Sequence, residues 1–297
     1  MPELPEVETV RRGLAPVVEG KRIERLRLSG KRLRLAWPEG FAQQLTGRRV
    51  EALSRRAKFL LWRLSGGLWM ISHLGMSGRF TVFAPDAPAA EGLGLGEFYF
   101  QPASPPEAGP HDHLEMTFDD GTRVVYTDPR RFGFFDLVED VKSHPMLRSL
   151  GPEPLAANFD AGWLAARLAG RTAPVKNVLL DQTVVAGVGN IYACEALFLA
   201  AISPRRRACS LAPSGTPTRR VERLVTAVKQ VLEEAIAAGG STLRDHRLID
   251  GGKGSFQQQF QVYGRAGAPC PRAGCDGVIR RIVQSGRGTF HCPRCQR

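Results

Sequence analysis

Four cysteines within the last 28 residues constrain the fold of this 297-residue chain more than any other feature. They form two pairs: Cys270 and Cys275 have four residues between them, Cys292 and Cys295 have two, and sixteen residues separate the pairs. Both inner spacings are typical of structural zinc sites, and four thiolates leave no open coordination position for catalysis. The longer interval has room for a β-hairpin that brings both pairs around one ion. The paired spacing therefore predicts one structural Zn²⁺ rather than incidental free thiols.

The charge of the chain favours a polyanionic partner. Basic residues outnumber acidic ones by 41 to 29, which gives a formal net charge of +12. Nucleic acid is the commonest such partner, although a merely basic enzyme would show the same surplus. No stretch approaches the ~18 uninterrupted apolar residues of a membrane span, and the acidic N-terminus is unlike a secretory signal peptide. We therefore expect a cytosolic protein with no membrane partner.

The first half of the chain has the pattern of one helix followed by many strands. Val7, Val10, Leu14 and Val17 recur at helical steps, and Pro5 suits a first turn, which predicts a helix over residues 5–18. Residues 84–110, rich in Pro, Ala and Gly, indicate mostly a long surface loop. The β-like runs are Arg32–Trp37, Val50–Leu53, Phe59–Leu64, Leu68–His73, Arg79–Phe83, His113–Phe118 and Thr122–Thr127. These runs predict an antiparallel β-sandwich preceded by one helix.

The second half changes to helical spacing. It predicts four helices, with a Gly-Gly pair at 239–240 stopping the last: Ala161–Leu168, Val175–Leu180, Ile191–Ala201 and Val221–Ala238. Cys194 lies in an apolar helix and is expected to be a buried small hydrophobe. The fold class is therefore α+β multidomain. We expect an N-terminal β-sandwich domain (1–140), a helical domain (141–260) and a zinc ribbon (261–297).

The N-terminal sequence MPELPEVE contains a candidate nucleophile. Removal of Met1 would leave Pro2 with a free secondary amine, which can attack a sugar carbon and form an iminium. Glu3 and Glu6 flank that amine and are candidates for moving protons during ring opening and base departure. Taken alone, the same residues are better explained as an ordinary acidic helix start, with Pro at the first turn and Glu complementing the helix dipole.

Eight sequence blocks give the chain a resemblance to formamidopyrimidine-DNA glycosylase, a family of bacterial enzymes that excise oxidised purines. They are MPELPEVETVRRGL at the N-terminus, RRAKFLLW around Lys58, HLGMSGRF around Met76, YTDPRRFG around Arg130, LGPEPL at 150–155, LLDQTVVAGVGNIYACEALF around Asn190, QVYGR at 261–265, and the cysteine ribbon. The blocks follow the family's order and cover essentially the whole chain. One departure is the Cys270–Cys275 interval, where the family usually has two intervening residues, so this knuckle is expected to bulge.

The resemblance implies roles for the residues that carry the chemistry. Pro2 matches the Schiff-base nucleophile and Glu3 the catalytic acid. Lys58 matches the lysine that assists β-elimination and contacts a phosphate. Without the resemblance, Lys58 would be interpreted as a surface lysine beside an amphipathic strand. Arg287 in SGRGTF matches the arginine that grips phosphate and assists δ-elimination; as a generic ribbon arginine it would still bind DNA.

The resemblance also implies a set of DNA contacts. Met76, Arg130 and Phe132 match the side chains that fill the hole left by a flipped nucleotide, where apolar groups replace lost stacking and a guanidinium bonds the orphaned base. Without the resemblance, Met76 and Phe132 would be expected in a core. Positions matching further DNA contacts are His111, Arg130, Arg171 and Asn190. The Gly-Val-Gly of 187–189 resembles the turn of a helix–two-turns–helix motif, where backbone N–H groups approach a phosphate.

These matches imply a base-excision repair enzyme acting on double-stranded DNA with a damaged base. It would remove oxidised purines through Pro2 and nick the strand by β,δ-elimination as an abasic-site lyase. The zinc ion would be structural, and the protein is expected to be a monomer in the bacterial cytosol. An endonuclease-VIII-like enzyme for oxidised pyrimidines is an alternative, but the PELPEV start and the full set of hole-filling residues favour the purine branch. A non-catalytic zinc-ribbon DNA-binding protein would explain the charge and the cysteines, but not the PELPE terminus or Lys58.

Overall fold

The computed structural model describes residues 2–83, 85, 93–97, 109–241, 246–247 and 255–297. The chain forms two compact units, one of residues 1–148 with 238–255 and the other of residues 149–237 with 256–297. None of the helices in the described ranges is long and apolar enough to cross a membrane. The three-domain division at 140 and 260 stays a prediction.

Helix α1 (Leu4–Val18) opens the first unit, close to the predicted 5–18. Pro5 occupies its first turn, where the missing N–H costs no helical hydrogen bond. Val7, Val10 and Leu14 are fully buried in the main core of the unit, as the helical spacing predicted. The helix ends at Val18, and the extended backbone of Glu19 turns the chain toward the first strand.

The rest of the first unit consists of strands and two short helices. Their bounds are β1 (Ile23–Leu28), α2 (Phe41–Leu45), β2 (Val50–Arg56), β3 (Phe59–Leu64), β4 (Trp69–His73), β5 (Arg79–Phe83), β6 (Leu93–Glu97), β7 (Asp112–Phe118), β8 (Arg123–Thr127), β9 (Phe134–Val138), α3 (Pro145–Arg148) and β10 (His246–Arg247). The strands form two antiparallel sheets, the larger in the order β1-β7-β8-β5-β6-β10 and the smaller in the order β2-β3-β4-β9.

The core between the sheets confirms the predicted sandwich with its leading helix. Trp62 of β3 packs against Phe80 of β5 with ring centroids 5.9 Å apart. Tyr126 of β8 meets Phe135 of β9 edge to face at 4.9 Å, a favourable arrangement of two aromatic quadrupoles. Side chains from both sheets therefore interdigitate, and α1 packs against β2 and β3.

Three details of the predicted strand pattern are wrong. Residues 32–37 form no strand: Leu33 is buried and Trp37 stacks on Phe135 at 5.4 Å, so the apolar residues anchor a loop instead of alternating along a ladder. The strands Ile23–Leu28 and Phe134–Val138 were not predicted. Residues 93–97, inside the expected 84–110 loop, form a strand, while most of that loop lies outside the described residues.

The second unit contains the predicted helices with small shifts at their ends. They are α4 (Ala161–Leu168), α5 (Val175–Leu179), α6 (Asn190–Leu199) and α7 (Arg219–Ala237). Helix α6 is buried on nearly all sides, and Cys194 within it is buried as expected. A hairpin of β11 (Arg280–Gln284) and β12 (Arg287–His291) confirms the ribbon. Its two-residue turn, Ser285 and Gly286, has φ of 48° and 72°, the left-handed pair typical of tight hairpins.

Candidate active site and nucleic-acid interface

The N-terminus of α1 holds Pro2 and two buried carboxylates. Pro2 is buried immediately before the helix, and Glu3 is the N-cap residue with an extended backbone. Glu3 and Glu6 are each only 4% exposed. The backbone N–H of Glu3 donates to Glu6 Oε2 at 2.8 Å, so Glu6 satisfies one of the donors that every helix start leaves unpaired. The structure thus brings all three predicted residues to one point.

Glu6 also binds a residue that the sequence did not identify. Its Oε1 accepts from the Ser241 N–H at 2.8 Å and from the Ser241 hydroxyl at 2.9 Å. Gly240 has φ of +82°, and a Cβ there would lie 3.2 Å from both Cγ and Oε1 of Glu6. Both carboxylate oxygens of Glu6 therefore accept hydrogen bonds, and the carboxylate joins the start of α1 to residues 240–241. The Gly-Gly-Ser sequence was the available signal.

Lys58 lies in the tight turn between β2 and β3 and is 8% exposed. It is therefore not an ordinary surface lysine, which was the alternative interpretation of its position beside a strand. The preceding residue, Ala57, has φ of +52°, and its carbonyl accepts from Arg55 Nη1 at 2.9 Å. Arg55 Nε in turn donates to Glu8 Oε2 at 3.1 Å. This chain of contacts links the Lys58 turn to the helix that begins at Pro2.

Glu8 is held ionised by cations. Burial alone would raise its pKa, but hydrogen bonds from Arg11 and Arg12 and the charges of Arg11 and Arg55 bring that pKa below its ordinary value. The carboxylate therefore stays charged at neutral pH and binds Arg55 strongly.

His73, at the end of β4, is a second residue that the sequence did not identify. Its ring stacks on Phe134 with the planes 9° apart, and its Nδ1 accepts from the Gly75 N–H at 2.9 Å. Burial first, then the charges of Lys58 and Arg34, lower its pKa to about 4. His73 is therefore neutral at physiological pH and lies within the field of Lys58.

The predicted hole-filling residues lie on two loops of the first unit that touch each other. Met76 is half-buried on residues 74–78, whereas Arg130 and Phe132 are exposed on residues 128–133. Phe132 is 45% exposed, and the Arg130 guanidinium lies 4.9 Å from the centre of its ring. His111 is also exposed, and its carbonyl accepts from the Asp128 N–H at 2.9 Å. A large aromatic ring and a cation are thus presented together at the surface.

In the second unit, Asn190 lies against the ribbon hairpin. Its Nδ2 donates to the Gly288 carbonyl at 2.9 Å. The buried Lys176 donates to Asn190 Oδ1 at 2.6 Å and to Thr289 Oγ1 at 2.7 Å. Arg287 is exposed at the first position of β12, next to the residues so bound. The structure therefore places Asn190, a predicted DNA contact, in hydrogen-bond contact with Gly288, the residue that follows Arg287 in β12.

The turn before α6 has the geometry expected of a phosphate-binding loop. Gly187 has φ of +86°, and Gly189 is the N-cap of α6, so the helix N-terminus carries no side chain in front of its N–H groups. Gln182 fixes this turn: its Oε1 accepts from the Gly187 N–H at 2.8 Å and its Nε2 donates to the Val188 carbonyl at 2.9 Å. Arg171 forms a half-buried ion pair with Asp181 at 2.9 Å.

The four cysteines converge on a site that fits zinc. Their ligand atoms all lie within 4.8 Å of one another, with Cys270 Sγ 3.8 Å from Cys295 Sγ and Cys275 Sγ 3.7 Å from Cys292 Sγ. Tetrahedral coordination with Zn–S bonds of about 2.3 Å places sulfur atoms about 3.8 Å apart, so these distances suit the ion. The site takes one structural Zn²⁺.

The long first knuckle is accommodated by a turn. The Cys275 N–H donates to the Arg272 carbonyl at 3.0 Å, and Gly274 takes φ of +72°. The Cys270 N–H donates to the Gly277 carbonyl at 2.8 Å, which closes the loop beneath the sulfur atoms. The two extra residues are thus absorbed without separating the thiols.

Comparison with known proteins assigns the family. Models of the formamidopyrimidine-DNA glycosylase N-terminal domain, its H2TH domain and the zinc finger found in FPG and IleRS match residues 1–135, 150–247 and 267–297. A formamidopyrimidine-DNA glycosylase of Ruegeria pomeroyi is 52% identical over the full length of both chains, and one of Azorhizobium caulinodans is 53% identical. The chain belongs to the formamidopyrimidine-DNA glycosylase family. The predicted family membership is therefore confirmed.

Solved structures of this family share the whole fold. The Lactococcus lactis FPG mutant bound to a Fapy-dG containing DNA has a TM-score of 0.82 and 35% identity, covering all of both chains. MutM (FPG) of Thermus thermophilus has a TM-score of 0.79 and 39% identity over 99% of this chain and 98% of that one. Lactococcus lactis Fpg bound to an abasic site containing DNA has a TM-score of 0.81 and 33% identity over 99% of both.

Proposed function

We propose that this protein removes oxidised purines, 8-oxoguanine and formamidopyrimidines, from duplex DNA and then nicks the strand by β,δ-elimination. The observation that carries the proposal is the buried group at the start of α1, where Pro2, Glu3 and Glu6 meet in a chain that belongs to this glycosylase family. Support for the substrate comes from the structurally similar Lactococcus lactis proteins, which were solved in complex with DNA that contains Fapy-dG or an abasic site.

The proposed chemistry begins at the Pro2 amine, set free by removal of Met1. Its nitrogen bonds to C1′ of the damaged nucleotide while the bond from C1′ to the base breaks, and opening of the sugar ring gives an iminium. The proton that the Pro2 amine loses goes to the departing base, and Glu3 donates the second proton, to O4′ as the ring opens. Loss of a proton from C2′ of the iminium expels the 3′-phosphate, and a second proton loss expels the 5′-phosphate. Lys58 assists the first elimination and Arg287 the second.

The remaining predicted residues hold the DNA. Lys58 and Arg287 also neutralise phosphate, and the other proposed backbone contacts are His111, Arg171 and Asn190. Arg171 is half-buried in an ion pair with Asp181, and a DNA phosphate can replace the Asp181 carboxylate as its anionic partner, so the ion pair does not prevent Arg171 from contacting DNA. Met76 and Phe132 fill the gap behind the flipped nucleotide, and Arg130 bonds the unpaired opposite base.

We further propose that the protein acts as a monomer with three domains (1–140, 141–260 and 261–297). A bacterial cytosolic location, in contact with the nucleoid, is supported by the bacterial source of the relatives and by the DNA substrate. Zinc holds the ribbon together when bound, and the ribbon carries Arg287.

Borohydride trapping tests the proposed nucleophile. One extra residue placed before Pro2 converts its amine nitrogen into an amide, which cannot form an iminium. This variant should lose covalent trapping on a duplex with 8-oxoguanine while it still binds DNA, and Lys58→Arg should retain trapping. Undiminished trapping by the extended chain would move the nucleophile away from Pro2. Faster cleavage of an oxidised pyrimidine than of 8-oxoguanine would favour the endonuclease-VIII-like alternative, and absence of any trapping would favour a non-catalytic DNA-binding protein.

A further inference from the structure

We infer that Asp128, acting through Ser77, is a positioning residue that holds the Met76 loop (residues 74–78) and the Arg130 loop (residues 128–133) together as one rigid wedge. The inference rests on the proposed function, in which Met76, Arg130 and Phe132 enter the DNA together. Neither Asp128 nor Ser77 is among the residues to which the sequence assigned a role.

Asp128 is completely buried and accepts hydrogen bonds on both oxygens. Its Oδ1 accepts from the Ser77 hydroxyl at 2.5 Å and from the Arg130 N–H at 3.3 Å. Its Oδ2 accepts from the Gly133 N–H at 2.8 Å and from the Tyr126 hydroxyl at 3.3 Å. A carboxylate without water is costly unless its lone pairs are satisfied, so the donors around it are held firmly in place. Two of the four are backbone groups of the Arg130 loop itself.

Ser77 connects this carboxylate to the other loop. It follows Met76 directly and is 5% exposed. Its hydroxyl donates to Asp128 and also accepts the Arg130 N–H at 3.1 Å. One hydroxyl therefore bonds both the carboxylate and the backbone of the residue that is proposed to bond the orphaned base. A shift of either loop breaks both bonds.

The backbones of the two loops meet directly. A Cβ on Gly75 would lie 2.3 Å from the nitrogen of Gly133 and 2.4 Å from the carbonyl carbon of Phe132, which no side chain tolerates. A Cβ on Gly78 would lie 2.2 Å from the Tyr126 hydroxyl oxygen. Burial first, then the charge of Asp128 and its hydrogen bond, raise the pKa of Tyr126 well above its ordinary value, so this hydroxyl keeps its proton and stays a donor. The glycines thus allow the backbones of the two loops to come close together, and Asp128 and Ser77 hold the loops in that position.

This arrangement explains how exposed side chains can be pre-ordered. Arg131 has φ of +56°, and its N–H donates to the Asp128 carbonyl at 3.1 Å, so the Arg130 loop is turned back on itself between two exposed side chains. Ordering side chains at the moment of binding costs free energy that a preformed arrangement avoids. The Asp128–Ser77 contact therefore serves base flipping, not the chemistry at C1′.

The test compares two substrates under single-turnover conditions. Ser77→Ala removes the cross-loop hydroxyl and leaves the Asp128 bonds within its own loop. Excision of 8-oxoguanine paired with cytosine should fall by on the order of tenfold, as expected for a buried hydrogen-bonding group left without its partner, while cleavage at a preformed abasic site falls far less. Ser77→Cys should restore part of the lost excision rate. The matched control is Ser72→Ala, a buried serine of the same unit that accepts from Trp62 Nε1 at 3.0 Å and contacts neither loop through that bond.

A second measurement separates positioning from general stability. In a background with Met76, Arg130 and Phe132 all changed to Ala, nothing is left to position, so Ser77→Ala should have no further effect on excision. Equal loss on both substrates, or an undiminished effect in that background, would overturn the inference. Borohydride trapping of the wild-type protein tests the proposed chemistry separately. If the wild type is trapped but Ser77→Ala slows both substrates equally, only the inference is refuted. If the wild type is not trapped, the proposed function is refuted. Thermal unfolding of each variant verifies that the folded protein is compared.

Discussion

Gly277→Ala should destroy the zinc site although it changes no ligand. A Cβ at this position would lie 2.6 Å from Cys292 Sγ and 3.3 Å from Cys275 Sγ. Non-bonded heavy atoms prefer separations of about 3.5–4.0 Å, so one sulfur must move by about 1 Å. Metal–ligand distances vary by only about ±0.2 Å. Mutation of a residue that contacts a ligand, without being a ligand itself, already lowers metal affinity by about 10–100-fold. We therefore expect zinc affinity to fall by at least about 100-fold.

Competition with a chromophoric chelator measures this loss, together with the zinc content of the purified protein. Gly288→Ala is the control in the same ribbon, because its Cβ would meet Arg281 Nε at 3.3 Å, and that long side chain can move aside. The backbone of Gly277 lies outside the left-handed region, so the penalty that separates the two variants is crowding of the sulfur atoms and of the Arg294 Cβ, which would lie 3.0 Å from the new methyl group. Wild-type zinc affinity in Gly277→Ala would refute the assignment of the four thiols as one compact ligand set.

Two other predictions concern α1 and the wedge. Because the folded-state pKa of Glu8 lies below its ordinary value, the carboxylate stabilises the fold above pH ~4.5 and loses that effect as pH falls through the folded pKa. Glu8→Gln should thus lower the free energy of unfolding by about 1–2 kcal/mol at pH 7 and by progressively less as the pH is lowered below the ordinary pKa of the carboxylate, measured by thermal unfolding; a loss that does not change with pH would contradict this. Met76→Ala and Arg130→Ala should slow excision of a paired lesion far more than cleavage of an abasic site, and Arg130→Ala should alter the preference for the opposite base. Equal slowing on both substrates would mean that these residues serve folding or general binding.

Local patterns explain what could be predicted from the sequence. The spacing of Val7, Val10 and Leu14 requires only one helix turn after another, and α1 follows it to within a residue. The cysteine pairs likewise needed only a hairpin between them. The strand predicted over residues 32–37 is wrong because alternating apolar side chains also occur in loops that pack onto a core, here through Trp37 on Phe135. Alternating apolar residues indicate which side chains are buried. A β-strand also needs a neighbouring strand with which its backbone forms hydrogen bonds.

Contacts between distant residues could not be predicted in the same way. Glu6 and Ser241 are 235 positions apart, and Lys176 and Thr289 are 113 apart. Each pair depends on how the chain returns to itself, which no local spacing records. The sequence therefore identified the candidate residues of the site through family motifs, whereas the groups that fix them, among them Ser241 and Asp128, emerged only from the fold.

The contacts of the first two turns of α1 divide three carboxylates by role. Glu8 faces cations that keep its pKa low, so it is a poor proton donor at neutral pH. Glu6 accepts from the Glu3 N–H on one oxygen and from the Ser241 N–H and hydroxyl on the other, so both of its oxygens are engaged in holding the backbone of other residues. Glu3 is the buried carboxylate directly after Pro2, at the N-terminus of the helix. These contacts support Glu3 as the group that moves protons, with Glu6 holding the backbone that places it and Glu8 tying the helix to the Lys58 turn.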